Sequence, residues 1–145
     1  MTGTGTTTLT VAPGGTTLGG GIMFYNTALA NSAVGPISLN GSSANIKLRP
    51  LDLGLQYDGL IIWQDRTINI NGDDVTINGG SSEMQVRGTI YVPFGDVKVN
   101  GGSGTLIMDQ IIARTYVVFG SPGSIIKVLK EEFYQFKLLA AGLVE

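Results

Sequence analysis

The chain predicts an all-β fold: a single-stranded parallel, right-handed β-helix, or solenoid, of roughly 20-residue coils. Three observations lead there. Glycine is abundant, at 22 of 145 residues, while charged residues make up only 14% and hydrophobic ones 43%. That mixture is too apolar for disorder and too rich in glycine for a helical bundle. An apolar stretch followed by a glycine kink then recurs, as Ile37-Ser38-Leu39-Asn40-Gly41, Thr76-Ile77-Asn78-Gly79, Val97-Lys98-Val99-Asn100-Gly101 and Val117-Val118-Phe119-Gly120. The kink glycines stand 38, 22 and 19 residues apart, so the first interval reads as two coils and each of the others as one.

Taken in order, Thr8 to Val11 alternates polar and apolar residues, Ala12-Pro13-Gly14-Gly15 turns, and Ile22-Met23-Phe24-Tyr25-Asn26 resumes a strand after Gly19-Gly20-Gly21. Residues 27 to 36 are small and turn-like. Ile37 to Leu39 and Ala44 to Leu48 form strands around the Asn40-Gly41 corner, where Asn and Gly tolerate a sharp bend. Leu60-Ile61-Ile62-Trp63 is the most apolar strand, and Val75 to Asn78, Met84 to Val92, Val97 to Val99, Leu106 to Ala113 and Thr115 to Phe119 continue the pattern. Inward ladders are expected from Ile61, Ile77, Ile90, Val99, Ile112 and Val118, with Trp63 in the core. The organisation expected is a β domain over residues 1–126 and a capping tail over 127–145. In the tail, Leu129, Phe133 and Phe136 fit an amphipathic helix over 127–135, with a final strand from Phe136 to Val144 as the competing reading.

Composition excludes several classes of function. A net charge of −2 with scattered Lys and Arg offers no basic patch for nucleic acid. With no His and no Cys, a metal site would rest on carboxylates alone, and no metal or other cofactor is expected. No apolar run reaches the ~18 residues needed to span a membrane. Either the protein is cytoplasmic or the chain is a domain of a longer precursor, and the abrupt start in strand-like sequence favours the second.

Two clusters could carry chemistry. Asn71-Gly72-Asp73-Asp74 is similar to the Asn-Gly-Asp-Asp segment of polygalacturonases, whose paired aspartates cleave glycosidic bonds. The rest of that family's pattern is missing: Tyr57-Asp58-Gly59 and Phe94-Gly95-Asp96 stand where other motifs would be needed. Asp73 and Asp74 therefore read first as a polar corner, with Asp65 and Asp96 as further carboxylates should the chain be a carbohydrate-degrading enzyme. Trp63, Gln64, Asp65 and Arg66 form the second cluster, a candidate carbohydrate platform in which the indole stacks on a sugar and the polar side chains bind hydroxyls; the plainer reading is that Gln64, Asp65 and Arg66 close the strand and tie down a neighbouring loop, with Trp63 in the core.

The segments Gly21-Ile22-Met23-Phe24-Tyr25-Asn26-Thr27, Tyr57-Asp58-Gly59-Leu60-Ile61-Ile62-Trp63-Gln64-Asp65-Arg66, Val86-Arg87-Gly88-Thr89-Ile90-Tyr91-Val92-Pro93 and Met108-Asp109-Gln110-Ile111-Ile112-Ala113 occur in that order. Together they resemble the C-terminal β-solenoid region of bacterial TadG-like proteins, which accompany the tight-adherence (Flp-type) pilus machinery. The resemblance implies a non-enzymatic structural or adhesion domain, secreted or anchored in the envelope. Its partners would be pilus and envelope proteins, and the open ends expected of a solenoid add other copies of itself. It implies no catalytic residue.

Overall fold

The computed structural model describes residues 7–10, 16–19, 21–28, 34–41, 45–50, 57–68, 72–120 and 125–128. Ten strands lie in this part: β1 (Thr7–Thr10), β2 (Thr16–Gly19), β3 (Phe24–Asn26), β4 (Ile37–Asn40), β5 (Asn45–Leu48), β6 (Leu60–Gln64), β7 (Val75–Asn78), β8 (Met84–Gly101), β9 (Thr105–Gly120) and β10 (Ile125–Val128). All belong to one sheet, and every pairing is parallel.

The long strands β8 and β9, of 18 and 16 residues, organise the sheet. Each passes through three rows of shorter strands. One row runs from β1 through β4 and β7 to Val97–Asn100 of β8 and then Tyr116–Phe119 of β9. A second runs from β2 through β5 to Met84–Val86, then Leu106–Met108, and ends on β10. The third joins β3 and β6 to Thr89–Tyr91 and Gln110–Ile112. The β8–β9 register shifts between Val86 and Thr89 and between Val92 and Asp96. Irregularities of this kind bend a strand, and the sheet curls into an open half-barrel.

This corrects the expected fold class. A right-handed β-helix of roughly 20-residue coils would stack many short strands with a steady period. The described residues instead show few strands, two of them long, and no regular stacking of coils. The 38-residue interval expected to hold two coils is a single step, because Asn40 pairs directly with Asn78. Glycine kinks mark where strands end, and equal path lengths between them do not follow.

The core lies on the concave side. Alternation within short strands places Ile37 and Leu39, Val75 and Ile77, and Val97 and Val99 inward in successive strands. Ile46, Leu48, Met84, Val86, Ile61, Ile62, Ile90, Val92, Leu106 and Met108 complete the cluster. Emptying one such position, as in Ile77→Ala, costs about 2–5 kcal/mol through lost transfer energy and the cavity left behind. Four of the six expected ladder residues, Ile61, Ile77, Ile90 and Val99, are fully buried. Ile112 is only half-buried, and Ile111 packs against the core beside it. Val118 is exposed because β9 has no neighbour beyond it at that point among the described residues. Trp63 is also corrected: it is half-buried, outside the core cluster, between two buried neighbours.

In the tail, Lys127 and Val128 belong to β10, which corrects the helix expected from residue 127. The remainder of that segment, 129–145, lies outside the described residues, as do Asn71 and the start of the chain to residue 6.

Candidate functional site

Parallel pairing sets which side chains meet, because residues in register on adjacent strands share a face. Along β6 the side chains alternate, so Trp63 and Gln64 part company. The Trp63 indole points outward and stacks on Tyr25 of β3, its register partner, with centroids 4.6 Å apart and planes within 1°. Tyr91 of β8 is the partner on the other side. Arg66 reaches that tyrosine: its Nε donates to the hydroxyl at 3.1 Å, and the guanidinium lies 5.9 Å from the ring centroid. An aromatic strip thus crosses three strands with a cation at one end.

Gln64 is buried and belongs to a different network. Its Nε2 donates to Asp74 Oδ1 at 2.6 Å, and its Oε1 accepts from Asn26 Nδ2 at 3.0 Å. The other oxygen of Asp74 accepts the backbone N–H of Asp96 at 2.8 Å. Asp96 turns its own carboxylate outward, to Arg114 Nη2 at 2.8 Å and to the Thr115 hydroxyl at 2.6 Å. The Arg114 and Thr115 bonds hold the Asp96 carboxyl below its ordinary range, and Arg114 is raised in turn. Asp73, the second member of the Asp73-Asp74 pair, is exposed and lies 3.5 Å from Lys98 Nζ, which sits over the Phe119 ring. Asp65 closes a turn, accepting the Thr67 amide and hydroxyl at 2.9 Å each and the Thr27 hydroxyl at 3.3 Å. The Thr67 amide, then its hydroxyl, lower the Asp65 pKa.

The four platform candidates therefore do not converge. Trp63 and Arg66 share the Tyr91 neighbourhood, Gln64 is sealed inside, and Asp65 holds its own loop. The indole offers less stacking surface than expected, since Tyr25 already lies against one face. The carboxylates divide as well: Asp74 and Asp96 brace adjacent strands, while Asp73 pairs across the surface.

Sequence reasoning missed three constellations. Asn40, Asn78 and Asn100 occupy equivalent positions and form a ladder: the Asn78 amide donates to the Asn40 carbonyl, the Asn100 amide to the Asn78 carbonyl at 2.5 Å, and the Asn40 amide to the Ser38 hydroxyl at 3.3 Å. The repeated Asn-Gly dipeptide was the signal, read only as turn chemistry. Arg87 and Asp109 form a buried pair, with Nε 2.9 and 3.0 Å from the two carboxylate oxygens, and Asp109 also accepts the Gly88 N–H at 2.7 Å. A charge inside each of two apolar strands was its signal. The third is the exposed end of β9, where Tyr116, Val117, Val118 and Phe119 are all open to solvent.

Among the described residues no helix is long and apolar enough to cross a membrane. Comparison with protein-family models, curated proteins and solved structures gives no match.

Proposed function

We propose that this is a non-enzymatic structural or adhesion domain of a bacterial cell-surface or pilus-associated protein, acting through contacts with copies of itself or with envelope proteins. One observation carries the reading: the carboxylates of Asp74, Asp96 and Asp109 are spent on joining neighbouring strands. Asp74 ties β6 to β8 through Gln64 and the Asp96 amide, Asp109 ties β9 to β8, and Asp96 ties β8 to β9. Such bonds stiffen a scaffold. The likeness of four ordered segments to TadG-like proteins supplies the pilus and envelope assignment.

The test has two arms. Cells in which the gene is disrupted should attach less to surfaces, and a copy carrying Asp73→Asn should restore attachment in full. Release of reducing ends from acidic polysaccharides by the purified protein, lost in Asp73→Asn, would overturn the structural reading in favour of a glycoside hydrolase.

Carbohydrate binding is the second reading, favoured by the outward Tyr25–Trp63 pair, in which Tyr25 is 44% exposed. A glycan array probed with the native chain and with Tyr25→Ala tests it: glycan retention that depends on Tyr25 supports binding, and no retention removes it.

A further inference from the structure

The last part of β9 is an edge with an unusual composition. From Thr115 to Gly120 it pairs on one side with Asp96–Gly101 of β8, and β10 covers β9 only at Thr105–Met108. Among the described residues nothing pairs with the other side. Tyr116, Val117, Val118 and Phe119 are 63, 48, 45 and 52% exposed. By register Tyr116 and Val118 continue the inward positions of Val97 and Val99, while Val117 and Phe119 continue the outward positions of Lys98 and Asn100. Both faces of this edge are therefore apolar.

That symmetry selects the kind of occupant. An amphipathic helix laid on one face would leave the other in water, whereas an added strand lies in the plane of the sheet, sets its own side chains beside those on both faces and pairs the edge backbone groups. Charge does not oppose a like strand. Thr115 to Gly120 carries none, and the flanking Arg114 is already paired with Asp96.

We propose that Thr115–Gly120 pairs antiparallel with the same segment of a second copy of this chain, about a two-fold axis through Val117. The proposal rests on the structural reading above and names its contact. In this register Val117 faces its own counterpart, Tyr116 faces the second copy's Val118, and Thr115 faces its Phe119. Each aromatic thus meets a β-branched residue on the same face, a favourable cross-strand combination. The contact is isologous, so it closes at two copies.

The experiment is sedimentation of the full chain over about 1 to 100 µM, with and without Val117→Lys, which sets two ammonium groups against each other on the axis. The wild type should show a monomer–dimer equilibrium, and Val117→Lys should weaken it about tenfold or more with an unchanged circular dichroism spectrum. The chain lacks cysteine, so Val117→Cys should join two chains through a short bis-maleimide, while Ser81→Cys, on an exposed corner, should not. A wild type that stays monomeric, or a dimer indifferent to Val117→Lys, overturns the proposal. So does a Val117→Cys, Leu138→Cys chain that cross-links within itself, because the edge would then belong to residues of its own tail. Each of these failures leaves the structural reading standing, which falls to polysaccharide cleavage or to attachment undiminished by loss of the gene.

Discussion

The Asp74 carboxylate accepts the backbone N–H of Asp96 at 2.8 Å while the Asp74 N–H donates to the Asp96 carbonyl at 2.9 Å, so an acidic side chain braces β8 next to the point where its register with β9 shifts. Its other oxygen holds Gln64 at 2.6 Å, and the group is fully buried. Gly95 is fitted to it: a Cβ there would come within 2.6 Å of the Asp74 carboxyl carbon. Asp74→Ala orphans both donors and should cost about 1–3 kcal/mol for each. Gly95→Ala should also destabilise, by pushing the same carboxylate aside. Urea unfolding of the two variants checks this, and an unchanged midpoint in both would show that the carboxylate braces nothing.

Arg87 and Asp109 raise a different expectation. Removing one partner of a buried pair leaves an uncompensated charge, so Asp109→Asn should cost about 3–5 kcal/mol. Replacing both, as in Arg87→Met with Asp109→Leu, should cost much less than the single changes added together. One Arg87 nitrogen, Nη2, is buried without a hydrogen-bond partner, which favours the apolar pair further. A double-mutant cycle in urea measures the coupling directly.

Trp63 is the sole tryptophan, so its emission reports on the aromatic strip alone. Tyr25→Ala strips one face of the indole. The emission maximum should move to longer wavelength and acrylamide quenching should rise, with a stability loss of about 0.5–1.5 kcal/mol for the ring contact beyond the area exposed. An unshifted spectrum would mean that the two rings do not stack in solution.

Acid should loosen the β8–β9 junction. The Asp96 carboxyl is lowered in the folded chain, first by its hydrogen bond from Arg114 and then by Thr115. A lowered carboxylate contributes stability that is complete above its unfolded value and disappears as pH falls through the folded one. Part of the fall in melting temperature below about pH 4 should therefore vanish in Asp96→Asn. Thermal melts of both proteins from neutral pH downward show it, and parallel curves would count against the contribution.

Local chemistry made the strands legible in the sequence. Val75 to Asn78 and Val97 to Val99 announce themselves by alternation, and Ile61, Ile77, Ile90 and Val99 are buried as the pattern requires. What stayed hidden depends on register. A one-residue difference in alignment decides whether Ile111 or Ile112 turns inward, and nothing local to Leu60-Ile61-Ile62-Trp63 says that a tyrosine 38 residues earlier lies against the indole. Of the candidate site, the polar residues were found, but their bracing role depends on partners 10 and 22 residues away from Asp74. The regular coil period failed for the same reason: glycine corners show where a strand stops, and say little about how far the chain wanders before the next one.

The asparagine ladder separates alignment from path length. Asn40 and Asn78 meet across 38 residues, while Asn78 and Asn100 meet across 22, yet both pairs make the same amide contact. Side chains at the rungs keep the strands in step, so the loops that join the paired strands within each span are free to lengthen or shrink without the sheet losing count. A foreign peptide grafted beside the exposed Tyr57 would exploit that freedom, making this longest span the natural place for the protein to acquire, or be given, a new surface.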